Sequence, residues 1–242
     1  MVIRLTEKCR MECSHCMYEC LYSKEEHMTT MTLNKIVNSA LFKKSSMIVI
    51  SGGEPTEHPD FVKFLKYIVK NREKSVIQLI SNGMFAENDK ITKEILNLLD
   101  NNFIFLRVTH DKRFYKKPIK KVKHNRIFYI DEIASLTFLG RAQKFDKNDF
   151  PELTKRKYPM CFNTRSVITG MPNMDYIDYM MLMEQKNKYC TMVFHPNGDL
   201  SASECGNFRI ANIHNKDFFK KLKNPDLTQT PCNKCGLWTS YI

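Results

Sequence analysis

Three cysteines, Cys9, Cys13 and Cys16, lie in one short stretch with the spacing Cys-x3-Cys-x2-Cys. Thiolates this close together suit a metal or iron–sulfur centre. A [4Fe–4S] cluster normally takes four cysteines. Three leave one iron with an open position, free to bind a substrate or cofactor and pass it an electron. On these residues alone a zinc ion completed by His15 or Cys20 competes. A second constellation is Ser51-Gly52-Gly53-Glu54-Pro55-Thr56, where two glycines let the backbone approach a ligand closely and a carboxylate is available to an ammonium group. A third is Ser81-Asn82-Gly83.

Four more cysteines, Cys190, Cys205, Cys232 and Cys235, fall in the C-terminal part. The first two flank a segment, Met192 to Leu200, that reads as a β-hairpin with Asn197-Gly198 as its turn. The last two form a Cys-x2-Cys pair suited to one metal or cluster. Four thiolates without an open position make a closed centre, either an iron–sulfur cluster or a zinc knuckle. Cys20 and Cys161 are left over as free thiols, with Cys161 an alternative to Cys190 as a ligand.

The elements that must position these residues alternate strand and helix. Arg4-Leu5-Thr6 is expected as a strand running into the cysteine loop, followed by a helix over 32–44 with Thr32 as N-cap. The run Met47-Ile48-Val49-Ile50 reads as a buried parallel strand ended by the glycine turn. Asp60 then caps a helix carrying Phe61, Phe64, Leu65 and Ile68. Val76 to Ile80 forms the next strand, ended by Ser81-Asn82-Gly83. A helix over 90–100 leads to a strand at Phe103 to Val108. Repeated strand–helix units imply a parallel sheet with outer helices and a site at the C-terminal strand ends. Further strands are expected at Ile127–Ile130 and Leu136–Leu139, and a short helix near 216–223. The intervening 109–126 has poor apolar periodicity, so an abbreviated unit is expected there.

The chain has 242 residues, enough for one medium domain with a small appendage. Nine cysteines without a secretion signal point to metal ligands in a reducing compartment, so a cytoplasmic location is expected and no membrane partner. The formal charge of +12 is concentrated at Lys112, Arg113, Lys116, Lys117, Lys120, Lys121, Lys123 and Arg126. A solvated basic face explains such a patch, as does an acidic peptide or a nucleic acid as partner.

The cysteine triplet together with Gly52-Gly53-Glu54-Pro55-Thr56 and Ser81-Asn82 resembles the radical S-adenosylmethionine (SAM) superfamily over roughly residues 1–145. The resemblance implies a partial (β/α)6 TIM-like barrel, abbreviated at its fourth and fifth units, over 1–145. It implies a catalytic cluster on Cys9, Cys13 and Cys16 whose open iron takes SAM. Gly52, Gly53 and Glu54 would meet the methionyl amino group, and Ser81 and Asn82 the ribose or carboxylate. His15 holds a position that is usually aromatic and near the adenine, and Arg141, in Phe138-Leu139-Gly140-Arg141-Ala142, is a candidate for the SAM carboxylate. Residues 146–242 resemble a SPASM or twitch extension, whose auxiliary [4Fe–4S] cluster would fall to Cys190, Cys205, Cys232 and Cys235. The spacing from Gly198 to Cys205 is longer than usual. The implied chemistry is reductive SAM cleavage to a 5′-deoxyadenosyl radical, fed by an external donor such as flavodoxin or ferredoxin. A peptide or protein side chain is the expected substrate, for crosslinking, oxidation or epimerisation. RNA modification through the Lys112–Arg126 patch and small-molecule or cofactor biosynthesis are the alternatives.

Overall fold

The computed structural model describes residues 1–133, 140–150, 192–201 and 209–223. Its centre is a mixed sheet of eight strands. They are β1 (Val2–Arg4), β2 (Met47–Ser51), β3 (Val76–Ser81), β4 (Ile104–Thr109), β5 (Ile127–Ile130), β6 (Val193–Phe194), β7 (Asp199–Ser201) and β8 (Arg209–Asn212). Their order is β5-β4-β3-β2-β1-β6-β7-β8. Strands β5 through β6 run parallel, and β7 and β8 add antiparallel to that edge.

Parallel strands need crossovers, and amphipathic helices supply them. Between β1 and β2 lie α1 (Thr30–Val37) and α2 (Ala40–Lys44). The single helix expected over 32–44 is thus broken. The Ser39 hydroxyl accepts from Phe42 N and starts a second helix, and the first cap is Thr29, not Thr32. Helix α3 (Phe61–Asn71) buries Phe61, Phe64, Leu65 and Ile68 on one face, each worth roughly 2 kcal/mol of removed apolar surface. Asp60 holds its N-cap position but makes no side-chain cap bond. Helix α4 (Asp89–Asn101) is capped by Asn88, whose side chain accepts from Ile91 N. These helices pack Ile36, Phe64, Ile68, Ile95 and Leu99 against Ile3, Ile48, Ile77 and Leu106 of the sheet.

No helix joins β4 to β5. The 110–126 segment crosses in turns, as the weak periodicity predicts, and Arg126 donates to the Leu99 and Asn102 carbonyls at the end of α4. The hairpin β6–β7 turns at Pro196-Asn197-Gly198, with Gly198 at φ +88°. Unforeseen in the sequence, β6 pairs in parallel with β1, Val2 opposite Val193. Helix α5 (Phe218–Lys223) packs its Phe218 beside Phe194 of the hairpin. The described strands do not close into a barrel, because β5 and β8 remain the sheet's edges. The strand expected at 136–139 and Cys161, Cys190, Cys205, Cys232 and Cys235 lie outside the described residues. No described helix is long and apolar enough to cross a membrane.

Candidate active site

The C-terminal end of β1 leads straight into the cysteine loop. Bridges between Thr6 and His27 and between Lys8 and Leu21 close its base, and Met28 N donates to Leu5 O at 2.8 Å. Within it, Glu12 (φ +46°) and Glu19 (φ +53°) adopt left-handed backbone, a strain of about 1 kcal/mol each that turns the loop back on itself.

The sulfurs are poorly hydrated and surrounded by donors. Cys9 receives the main-chain N–H of Met11 and Glu12 and, at 3.5 Å, the side-chain amide of Asn82. Burial, with the Glu54 carboxylate nearby, pushes its thiol up to about 11. Burial and the neighbouring Cys9 raise Cys13 as well. Cys16 is the opposite case, since a hydrogen bond from Cys20 draws it down and pushes Cys20 up. Thiols held neutral by burial are what a cluster must deprotonate as it binds. Among the described residues no three His, Cys, Asp or Glu side chains converge on a single-ion position, so neither His15 nor Cys20 completes a ready-made zinc site.

The glycine turn after β2 presses against this loop. A Cβ on Gly52 would lie 2.6 Å from Thr6 O, and one on Gly53 would fall on the Lys8 carbonyl and 3.0 Å from Cys9 Cβ. The turn is fixed by Gly53 N donating to Thr6 O at 2.6 Å and Glu54 N to Lys8 O at 2.8 Å. No described residue donates to the Gly52 or Gly53 carbonyls. Glu54 is fully buried. Its carboxylate accepts from Thr56 N and Oγ1, from Ser81 Oγ, and from Asn82 N at 2.8 Å. It therefore ties the end of β2 to the end of β3, and its burial raises its pKa against the pull of these donors. Asn82 in turn accepts from Met84 N at 2.9 Å, which aims its amide N–H at Cys9.

His15 lies between the second and third cysteines, with its ring centroid 4.7 Å from Phe114 and 5.5 Å from Tyr115. Burial lowers its pKa to about 4, and its Nδ1 is buried without a partner. Arg141 closes the loop from the far side. Its Nε donates to Cys13 O at 2.8 Å and its terminal nitrogens to Cys20 O at 3.0 Å, while its main-chain N reaches Cys16 O at 3.1 Å. Gly140 (φ +54°) makes this approach possible, because a Cβ there would meet Met17 O at 2.5 Å.

Several residues at this site were not singled out from the sequence. Arg4 is almost fully buried, with its guanidinium 3.6 Å over the Tyr18 ring. It donates to Glu7, to Cys20 Sγ at 3.5 Å and to His195 Nδ1 at 3.0 Å. Arginine can only donate, so His195 carries its proton on Nε2 and gives it to Ser201 Oγ at 3.0 Å. An arginine inside an otherwise apolar strand, Val2-Ile3-Arg4-Leu5, was the available signal. Phe114 and Tyr115 came from the basic crossing. Ser14 N donates to Phe114 O at 3.2 Å, which docks that crossing onto the cysteine loop. Beside it, at the ends of β4 and β5, a cavity of about 610 Å³ is lined by His110, Asp111, Lys112, Arg113, Ile119 and Asp131 among others.

Residues 3–135, more than half of the chain, match the Radical SAM superfamily. The chain belongs to this superfamily. It is a radical SAM enzyme, and membership implies a [4Fe–4S] cluster and SAM. A probable GTP 3′,8-cyclase of Methanococcus maripaludis is 38% identical over 88 residues, which are 35% of this chain and 29% of that protein. The match thus spans under a third of the relative's length. Three solved structures share the fold. They are BtrN in complex with AdoMet and 2-DOIA (TM-score 0.53, 14% identity, 98% of this chain and 89% of that one); anSMEcpe with bound AdoMet (0.54, 15%, 93% and 80%); and Streptococcus suis SuiB bound to the precursor peptide SuiA (0.50, 14%, 98% and 69%). The donor set fits the implied group: three thiols in one loop, one buried and two half-buried, main-chain and amide N–H groups aimed at sulfur, and an open glycine turn alongside.

Proposed function

We propose that Cys9, Cys13 and Cys16 hold the catalytic cluster and that the enzyme modifies a peptide or protein side chain by crosslinking, oxidation or epimerisation. When bound, the cluster and SAM supply reductive cleavage to a 5′-deoxyadenosyl radical that removes hydrogen from the substrate. The observation that carries the site assignment is the packing of the Gly52-Gly53 turn directly onto the Lys8 carbonyl and the Cys9 Cβ, with the Asn82 amide on the Cys9 sulfur. The chain's own residues then have separable tasks. The free carbonyls of Gly52 and Gly53 accept the methionyl ammonium. Glu54 keeps the β2 and β3 ends in register with each other, and Asn82 donates to a cluster thiolate, which tunes its potential. His15, neutral through burial, presents a flat ring with Phe114 and Tyr115 toward the adenine. Arg141 holds the loop through Cys13 O and Cys20 O, and its charge would favour an anionic SAM carboxylate beside it.

Support for a polypeptide substrate comes from the C-terminal cysteines, which suit an auxiliary [4Fe–4S] cluster, and from the fold shared with SuiB, whose structure holds a precursor peptide. The cyclase relative favours a second reading, a small-molecule substrate such as a nucleotide. Anaerobic reconstitution followed by iron and 5′-deoxyadenosine quantification tests the reading. About eight irons per chain with SAM cleavage supports two clusters, and about four removes the auxiliary one and weakens the peptide assignment. Bound zinc without cleavage would overturn it.

A further inference from the structure

From the end of β4 to just beyond β5 the chain carries eight lysines and arginines against three carboxylates, Asp111, Asp131 and Glu132. The structure divides these cations into two groups. Arg113 is held by Asp111, Lys121 by Asp131, Lys116 lies 3.9 Å from Glu12, and Arg126 binds the end of α4. Lys112, Lys117, Lys120 and Lys123 are exposed, and no described carboxylate pairs with them. A solvated face needs no fixed geometry, yet this crossing has one. Ser14 anchors it through Phe114 O, His110 Nε2 bonds Lys117 O at 2.7 Å, and Val122 N donates to Tyr129 Oη at 2.7 Å. It is thereby held at the mouth of the 610 Å³ cavity and against the loop that carries Cys13 and Cys16.

We propose that this lysine-bearing crossing is where the substrate docks, and that the docking element is an acidic stretch of polypeptide. Its carboxylates engage Lys112, Lys117, Lys120 and Lys123, while the residue to be modified enters beside Ile119, which packs with Met84 and Cys9. The inference rests on the peptide reading above and adds the charge that peptide must carry. Two features favour polypeptide over RNA. Single-stranded nucleic acid is gripped by exposed aromatics, and the aromatics of this crossing, Phe114 and Tyr115, are turned inward against His15. Phosphate also favours the bidentate fork of arginine, whereas the four unpaired cations are all lysines.

The test uses the reconstituted protein and a fluorescein-labelled peptide of about 12 residues alternating Glu and Ser, read by anisotropy at about 50 and 500 mM NaCl. One variant carries Lys112→Glu, Lys117→Glu, Lys120→Glu and Lys123→Glu. A charge-matched control carries Lys43→Glu, Lys44→Glu, Lys70→Glu and Lys74→Glu, exposed lysines near the N-terminal ends of β2 and β3. The wild type and the control should bind the peptide alike, more weakly at high salt. The crossing variant should lose at least about tenfold, since each exposed pair contributes a few-fold. Lys→Gln at the same four positions gives the same comparison if the glutamates prevent folding. Equal binding by all three proteins, equal loss in both variants, or no peptide binding by the wild type overturns the docking site. In the first two cases the peptide reading stands. Tighter binding of a 12-nucleotide RNA, lost in the crossing variant, ends both.

Discussion

Arg141 offers the sharpest separation between holding the cysteine loop and binding SAM. Arg141→Met keeps the aliphatic stem and removes the guanidinium, while the main-chain bond from residue 141 to Cys16 O survives. Three hydrogen bonds are lost, from Nε to Cys13 O and from the two terminal nitrogens to Cys20 O. Cys13 O keeps the N–H of Cys16 at 3.2 Å, whereas Cys20 O has no other described donor. The net effect is one stranded carbonyl on the buried Cys20 plus the loss of charged hydrogen bonds, about 2–3 kcal/mol. For a chain of this size that is a fall in Tm of roughly 5–10 °C. The assay is a melt of the cluster-free protein by circular dichroism, paired with the rate at which a chelator strips iron from the reconstituted one. Iron should leave several-fold faster from the variant, and Arg141→Lys, reaching one carbonyl, should fall between. If the cluster-free melt and the iron release match wild type, the clamp contributes nothing and the reasoning fails. If only SAM affinity falls, Arg141 serves the SAM carboxylate alone.

Three further outcomes are expected. Cys9→Ala should abolish 5′-deoxyadenosine formation under dithionite while the folded far-UV spectrum persists, and continued formation would refute the cluster assignment. Gly53→Ala puts a Cβ onto the Lys8 carbonyl, so the turn must shift against Cys9 at a cost of about 1–3 kcal/mol, measured as a lower Tm and reduced iron content. His195 is held neutral in the fold, its pKa lowered to about 4 by burial and by Arg4, against about 6.5 when unfolded. The unfolded chain therefore takes up a proton first. The stability this group contributes is complete above pH 6.5 and is lost as pH falls toward 4, in all roughly 3 kcal/mol. His195→Asn should flatten that part of the urea midpoint's pH profile, and an unchanged slope counts against the assignment.

Sequence alone showed the cysteine loop, the glycine turn and Ser81-Asn82, because each is a local run whose meaning lies in spacing along the chain. It showed β2 to β5 and α3 and α4 for the same reason, since their periodicity is local. What it missed is carried by pairs distant in sequence. The Arg4–His195 bond and the β1–β6 ladder join residues about 190 apart, and no window of sequence contains both. Glu54 was legible as a carboxylate beside a ligand turn. Its saturation by Thr56, Ser81 and Asn82 depends on where β3 ends relative to β2, a register visible only in three dimensions. Thr32 looked like a cap because it begins an amphipathic run, but Thr29 three residues earlier has the extended backbone a cap needs.

The strand that delivers the cysteine loop has its two neighbours at very different distances along the chain. Val2 lies opposite Val49 on one side and Val193 on the other. During synthesis the first neighbour follows Val2 by 47 residues and the second by 191. Until then β1 is an edge, and Arg4 is a buried-type cation still lacking His195. The cysteines therefore leave the ribosome long before the strand that completes their support. A nascent chain stalled before residue 193 would hold three thiols in a loop whose supporting strand is still unfinished.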